Sequence, residues 1–165
     1  MTRIINTIKL NNKITHLQRL IYLNKDTSLI FNSLDNILND FIGHKLFTIL
    51  KFDKKNSKLE RIYTSNPREY PLQGKKDVIR NYWQVQVLEK GIAYIGYNSQ
   101  DIKNSFSDFD LIKKLGCSSV LIIPVKSRGN IKGSVNLLHE ESWYSDNDVK
   151  IAQSLVSVIS ATLSN

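Results

Sequence analysis

Apolar residues recur along this chain at two spacings, and the switches between them mark its elements. Over residues 3–23, Ile5, Ile8, Leu17, Leu20 and Ile21 fall at helical steps, with Asn11 and Asn12 interrupting the stripe. Asp26-Thr27-Ser28 offers a helix start. Leu29, Ile30, Leu34, Ile37, Leu38 and Phe41 follow at three- and four-residue steps, and Gly43 supplies a stop. This spacing predicts an amphipathic helix over 27–42. His44 to Asp53 is rich in β-branched and aromatic residues and reads as a strand. A polar turn follows, and Lys58 to Tyr63 alternates as the partner strand of a hairpin. Ser65 to Gly74 contains Pro67 and Pro71 and reads as a loop.

The second half continues the pattern. Val78, Ile79, Tyr82, Trp83, Val85, Val87 and Leu88 predict a helix over 77–90, closed by Gly91. Residues 92–95 read as a short strand and 98–106 as a polar loop. Ser107-Asp108 starts a short helix through Leu115, ended by Gly116. Residues 119–125 are a continuous apolar run, as expected of a strand buried on both faces. Arg128-Gly129-Asn130 turns the chain, and 131–139 returns as a hairpin strand. Ser145-Asp146 caps a last helix with Val149, Ile151, Ala152, Leu155, Val156, Ile159 and Leu163 along one stripe. Strand pairs joined by tight turns imply an antiparallel sheet with helices packed on it, an α+β fold. The expected organisation is an N-terminal helical extension over 1–26 and a single domain over 27–165.

Composition narrows the classes. The chain has 165 residues, 41% hydrophobic and 23% charged, which is enough to bury a core without a metal or disulfide. The lone Cys117 excludes an intrachain disulfide. No apolar run approaches the roughly 18 residues of a membrane span, and residues 1–13 lack the pattern of a secretory signal, so the cytoplasm is expected and a membrane partner is not. The net charge is +8, concentrated in residues 1–90. Lys51, Lys54, Lys55 and Lys58 gather around a hairpin turn with no recognition helix beside them, so nucleic acid is not expected as a partner.

The C-terminal block, LGCSSVLIIPVKSRGNIKGSVNLLHE followed by SWYSDNDVKIAQSLVSVIS, resembles that of a GAF domain. A buried strand ends in Pro124, a glycine turn leads to a second strand through Gly133, and a long helix follows a polar cap. The resemblance spans roughly residues 27–163. More narrowly, the chain resembles small stand-alone bacterial GAF proteins through Leu46-Phe47-Thr48, Glu60-Arg61 with Tyr63, Tyr70-Pro71 before Gly74, Trp83, and residues 136–140 near Trp143-Tyr144. The resemblance implies a PAS-related, six-stranded antiparallel sheet between helices, with one face and its loops enclosing a small-molecule pocket. Family ligands include cyclic nucleotides, haem and linear tetrapyrroles. The cyclic-nucleotide motif is absent, and Cys117 does not reproduce the bilin-attachment context, so the cofactor or ligand is unknown.

The aromatic residues Tyr63, Tyr70, Tyr82, Trp83, Phe106 and Phe109 lie on segments that surround the pocket in the GAF arrangement. With the polar Ser65, Arg68, Asp101 and Asn136 they form the expected ligand-binding set. Loops 65–76 and 97–106 are the expected lid. The resulting expectation is a non-catalytic small-molecule-binding sensory or regulatory domain, paired as a homodimer through its terminal helices. One alternative is a ligand-free dimerisation or interaction scaffold. Another is a redox enzyme, because one GAF-like group reduces free methionine sulfoxide with a nucleophilic and a resolving cysteine. Here the single Cys117 stands at a different position, where a buried cysteine normally packs. The histidines His16, His44 and His139 show no metal-binding spacing.

Overall fold

Asn6 starts the first helix, its side chain accepting from the Lys9 backbone N–H at 3.0 Å. The computed structural model describes residues 4–163; the ends of both expected segments, 1–3 and 164–165, lie outside the described residues. Helix α1 (Thr7–Tyr22) is unbroken. Asn11 and Asn12 do not interrupt it, because both face solvent on the turn between buried Leu10 and the second buried contact, Leu17. Asp26 then caps α2 (Thr27–Phe41) by accepting from the Ser28 N–H at 2.7 Å. That helix ends at Gly43, whose φ of +90 favours glycine.

A hairpin of β1 (Leu46–Asp53) and β2 (Lys58–Thr64) follows. The two-residue strand β3 (Lys76–Asp77) adds to the outside of β2. Asp77, expected at the start of a helix, is thus part of a sheet edge. The helix begins later, at α3 (Tyr82–Gln84), because Asn81 caps it by accepting from the Gln84 N–H at 3.1 Å. It continues as a π-helical turn over Val85–Glu89. Strand β4 (Tyr94–Gly96) comes next, then α4 (Ser99–Ser105) and α5 (Phe109–Lys114). The 98–106 stretch is therefore a helix and not a loop. Asn98 caps α4 by accepting from the Asp101 N–H at 3.0 Å, an N-cap signal hidden in a uniformly polar sequence. Strands β5 (Ser119–Ser127) and β6 (Asn130–His139) form the central hairpin. Helix α6 (Asp146–Val156) runs on as a 3-10 helix over Ser157–Leu163.

The six strands form one antiparallel sheet in the order β3-β2-β1-β6-β5-β4. Period-two alternation divides its side chains between two layers. Phe47, Ile49, Leu121, Ile123, Val135 and Leu137 pack against α1, α2 and α6. Leu46, Val120, Ile122 and Leu138 face the other way, towards Trp83, Val87, Ile102 and Ile112. The apolar run 119–125 is buried throughout because it feeds both layers.

Two irregularities shape the sheet. Gly133 of β6 lies against β1 so closely that a Cβ there would run into the Leu50 carbonyl oxygen. In the β1–β2 pairing, Ile49 faces Tyr63 but Leu50 faces Arg61, so Ile62 bulges out of register. A bulge shifts the alternation by one residue. Arg61 consequently lies on the second face, while Tyr63 packs on the first, against Phe31 and Phe47.

Candidate functional site

Between the second face of the sheet and α3–α5 lies a cavity of about 310 Å³. Its floor is Thr48 and Leu50 of β1, Leu59 and Arg61 of β2, and Asn136 and Leu138 of β6. Its walls come from Tyr70 and Gln73 of the 65–75 segment, from Trp83, and from Phe106, Asp108 and Ile112. The wall is fixed by one carbonyl: Ser105 O accepts from Trp83 Nε1 at 2.9 Å and from Asn81 Nδ2 at 3.0 Å. Trp83 is 2% exposed, and Phe106 lies at its ring, centroids 6.0 Å apart. Trp83 thus lines the cavity without filling it. In the floor, Asn136 Oδ1 accepts from Ser134 Oγ at 2.8 Å, which holds the amide in a single orientation.

Arg61 is the electrostatic centre of the site. Its side chain is 8% exposed. The guanidinium lies on the Tyr70 ring, 3.7 Å from the centroid, a cation–π contact strengthened by burial. Nη1 donates to the Pro71 carbonyl at 2.6 Å. Nη2 faces Asp108 Oδ2 at 3.6 Å, an ion pair too long for a hydrogen bond. The Nε–H has no hydrogen-bond partner, and neither does Gln73 Oε1 or Asp108 Oδ2, while the Asp108 carboxylate faces both Arg61 and the Tyr70 hydroxyl. A buried polar group left unpaired costs about 1–3 kcal/mol. Three of them on one cavity are a cost a ligand would remove. Burial, then the Asp108 carboxylate, pushes the Tyr70 hydroxyl well above its ordinary range, so it stays protonated.

No family model matches the sequence, and no curated protein matches it at a significant level. Solved structures do match. The phycocyanobilin-bound GAF domain of a cyanobacterial phytochrome aligns with a TM-score of 0.72 at 12% identity, covering 93% of this chain and 92% of that one. The GAF domain of a phosphoenolpyruvate-protein phosphotransferase from Coxiella burnetii aligns at 0.72 and 10% identity, covering 95% and 94%. This chain has the GAF fold. The same fold carries a free methionine-R-sulfoxide reductase from Neisseria meningitidis, solved with its substrate, at a TM-score of 0.67, 12% identity and coverage of 99% and 93%.

Within this GAF fold, four of the ten sequence-predicted site residues meet at the cavity: Tyr70, Trp83, Phe106 and Asn136. The other six lie elsewhere. Tyr63 donates from its hydroxyl to Asp35 Oδ2 at 2.7 Å, under α2 on the opposite face. Ser65 extends the hairpin, its Oγ accepting from the Phe47 N–H at 2.9 Å. Arg68 has a side chain 91% exposed and reaches only Glu69, at 3.6 Å. Tyr82 is 76% exposed and packs edge-on against Tyr94. Asp101 is occupied within its own turn, accepting from the Tyr97 N–H at 2.7 Å. Phe109 packs at the edge of the second core beside Lys103.

The cavity's polar centre consists instead of Arg61, Gln73 and Asp108. Each stands on a segment the sequence places around the pocket, the 58–63 strand, the 65–76 loop and the 98–110 stretch, but none belongs to the expected binding set. Cys117 is buried and does not line the cavity, and burial pushes its thiol up to about 11.

Proposed function

We propose that this chain is a non-catalytic, small-molecule-binding regulatory module, with its ligand in the cavity over β1, β2 and β6. The observation that carries this reading is the buried Arg61 with an unpartnered Nε–H at the cavity, beside two unpartnered acceptors. A scaffold whose cavity serves no ligand gains nothing from three unsatisfied polar groups, since apolar replacements of similar shape would be more stable. Sensor kinases and a phytochrome among the matched structures use the same fold.

A reductase resting on Cys117 is disfavoured by that residue's surroundings. The nucleophile in thiol chemistry is the thiolate. Here the thiol is buried, held protonated and turned towards the Leu115 carbonyl at 3.9 Å.

A thermal-shift screen of the full chain against a broad library of soluble metabolites tests the reading. The expected result is at least one compound that raises the melting temperature dose-dependently and loses its effect in Arg61→Lys. A library without such a compound favours the scaffold.

A further inference from the structure

The unpaired groups of the cavity describe what would satisfy them. The Arg61 guanidinium donates from Nη1 to Pro71 O and faces Asp108 through Nη2, and its buried Nε–H is left without a hydrogen-bond partner. Asp108 Oδ2 and Gln73 Oε1 are left to accept. An occupant therefore has to supply one acceptor and two N–H or O–H donors.

Charge narrows the choice further. Arg61 and Asp108 cancel each other in the interior. At the edge, Lys76 and Asp77 add one charge of each sign, and Asp77 is paired with Lys58 at 2.6 Å. A phosphate or a dicarboxylate would satisfy Arg61. It would also set negative charge against Asp108 and leave the Gln73 and Asp108 oxygens without donors. A simple cation would meet the guanidinium. Both cases bury a charge without compensation, which is costly in a low-dielectric site.

Resting on the cavity as the ligand site, we propose that its ligand is a small molecule of zero net charge that carries nitrogen donors beside an acceptor. The acceptor takes the Arg61 Nε–H, the donors meet Asp108 and Gln73, and the apolar part lies against Trp83 and Phe106. Two kinds of compound have this chemistry: an α-amino acid, with ammonium and carboxylate, and a planar lactam or amide heterocycle.

Calorimetric titration of the full chain with three probe sets tests the proposal and separates the two sources. The sets are the neutral L-α-amino acids, the uncharged nucleobases, and inorganic phosphate with succinate. Binding is expected from one of the first two sets and not from the third. For the compound that binds, Arg61→Lys and Asp108→Asn should each weaken affinity roughly tenfold to a hundredfold, the usual loss of a hydrogen bond to a charged group. Asp108 makes no side-chain cap bond to α5, so Asp108→Asn keeps that helix cap, and urea unfolding of the variant separates lost affinity from the stability cost of an uncompensated Arg61. Phosphate or succinate binding that depends on Arg61 overturns the ligand class while leaving the cavity as a ligand site. Silence from both neutral sets also overturns the class. A neutral compound that binds the wild type and both variants equally overturns it as well.

Discussion

Arg61 and Tyr63 stand two residues apart on one strand and point to opposite faces of the sheet. Regular alternation would put them side by side. The bulge at Ile62 separates them, sending the guanidinium into the cavity and the phenol to Asp35. Stability and recognition can therefore be tested separately on the same strand. Tyr63→Phe removes the donor to Asp35 Oδ2, a bond to a carboxylate, and should cost about 1.5–3 kcal/mol in urea unfolding. Ligand affinity at the cavity should be unchanged. A loss of affinity with no loss of stability would mean that the two faces are not independent.

The close approach of β6 to β1 predicts a large effect from a small change. Gly133→Ala adds a Cβ that meets the Leu50 carbonyl, a backbone atom that cannot rotate away. Overpacking of this kind costs about 1–3 kcal/mol. Because Leu50 lines the cavity, the variant should also weaken any ligand bound there. A Gly133→Ala protein as stable as the wild type would contradict the strand spacing described above.

Alkaline pH should destabilise the protein in a definite window. The Cys117 thiol titrates near 9.0 when unperturbed and at about 11 in the folded chain, where burial favours the protonated form. Its contribution is intact below pH 9.0, declines as the unfolded chain ionises, and is lost as pH rises through about 11. Tyr63 and Tyr70, both pushed up first by burial, extend the loss to higher pH. Denaturation midpoints between pH 8 and 11 should fall less steeply in Cys117→Ala. The same thiol should resist iodoacetamide at pH 8 until urea unfolds the chain. Rapid alkylation of the folded protein would reopen the redox reading.

A second copy of the chain is the partner we expect for the helical layer. Ile8 and Tyr22 of α1, Leu29 of α2 and the nearby Leu23 remain exposed on the helices that cover the first face. Light scattering should give twice the 19.0 kDa chain mass at micromolar concentration. Ile8→Asp with Leu29→Asp should return the mass to 19.0 kDa. A wild-type monomer would overturn this pairing.

Much of the fold is legible in the sequence, because the central hairpin and last helix are strongly patterned. Residues 119–125 read as a strand by their apolar run and 131–139 as its hairpin partner after the Arg128-Gly129-Asn130 turn, and both form the middle of the sheet. The extent of α4 is harder to see, since it is short and almost entirely polar and only Asn98 and Asp101 signal it.

The site is legible in its aromatic wall and in Asn136, and not in Arg61, Gln73 and Asp108. Trp83, Phe106, Tyr70 and Asn136 follow from segment order, which a fold determines. Arg61 does not, because arginines are mostly exposed and an alternating strand gives no sign of a bulge. Arg68, on a loop, belongs to the expected binding set, yet its side chain stands in solvent beside Glu69.

On the proposed reading, Arg61 donates its Nε–H to a ligand in the cavity. The most direct measurement follows the arginine Nε–H signals by ¹H–¹⁵N NMR while the compound found by screening is titrated into the full chain. The Arg61 signal, assigned by its loss in Arg61→Lys, should shift saturably with the compound. The Arg68 signal should stay in place. Saturable binding that leaves the Arg61 signal unmoved would contradict that reading.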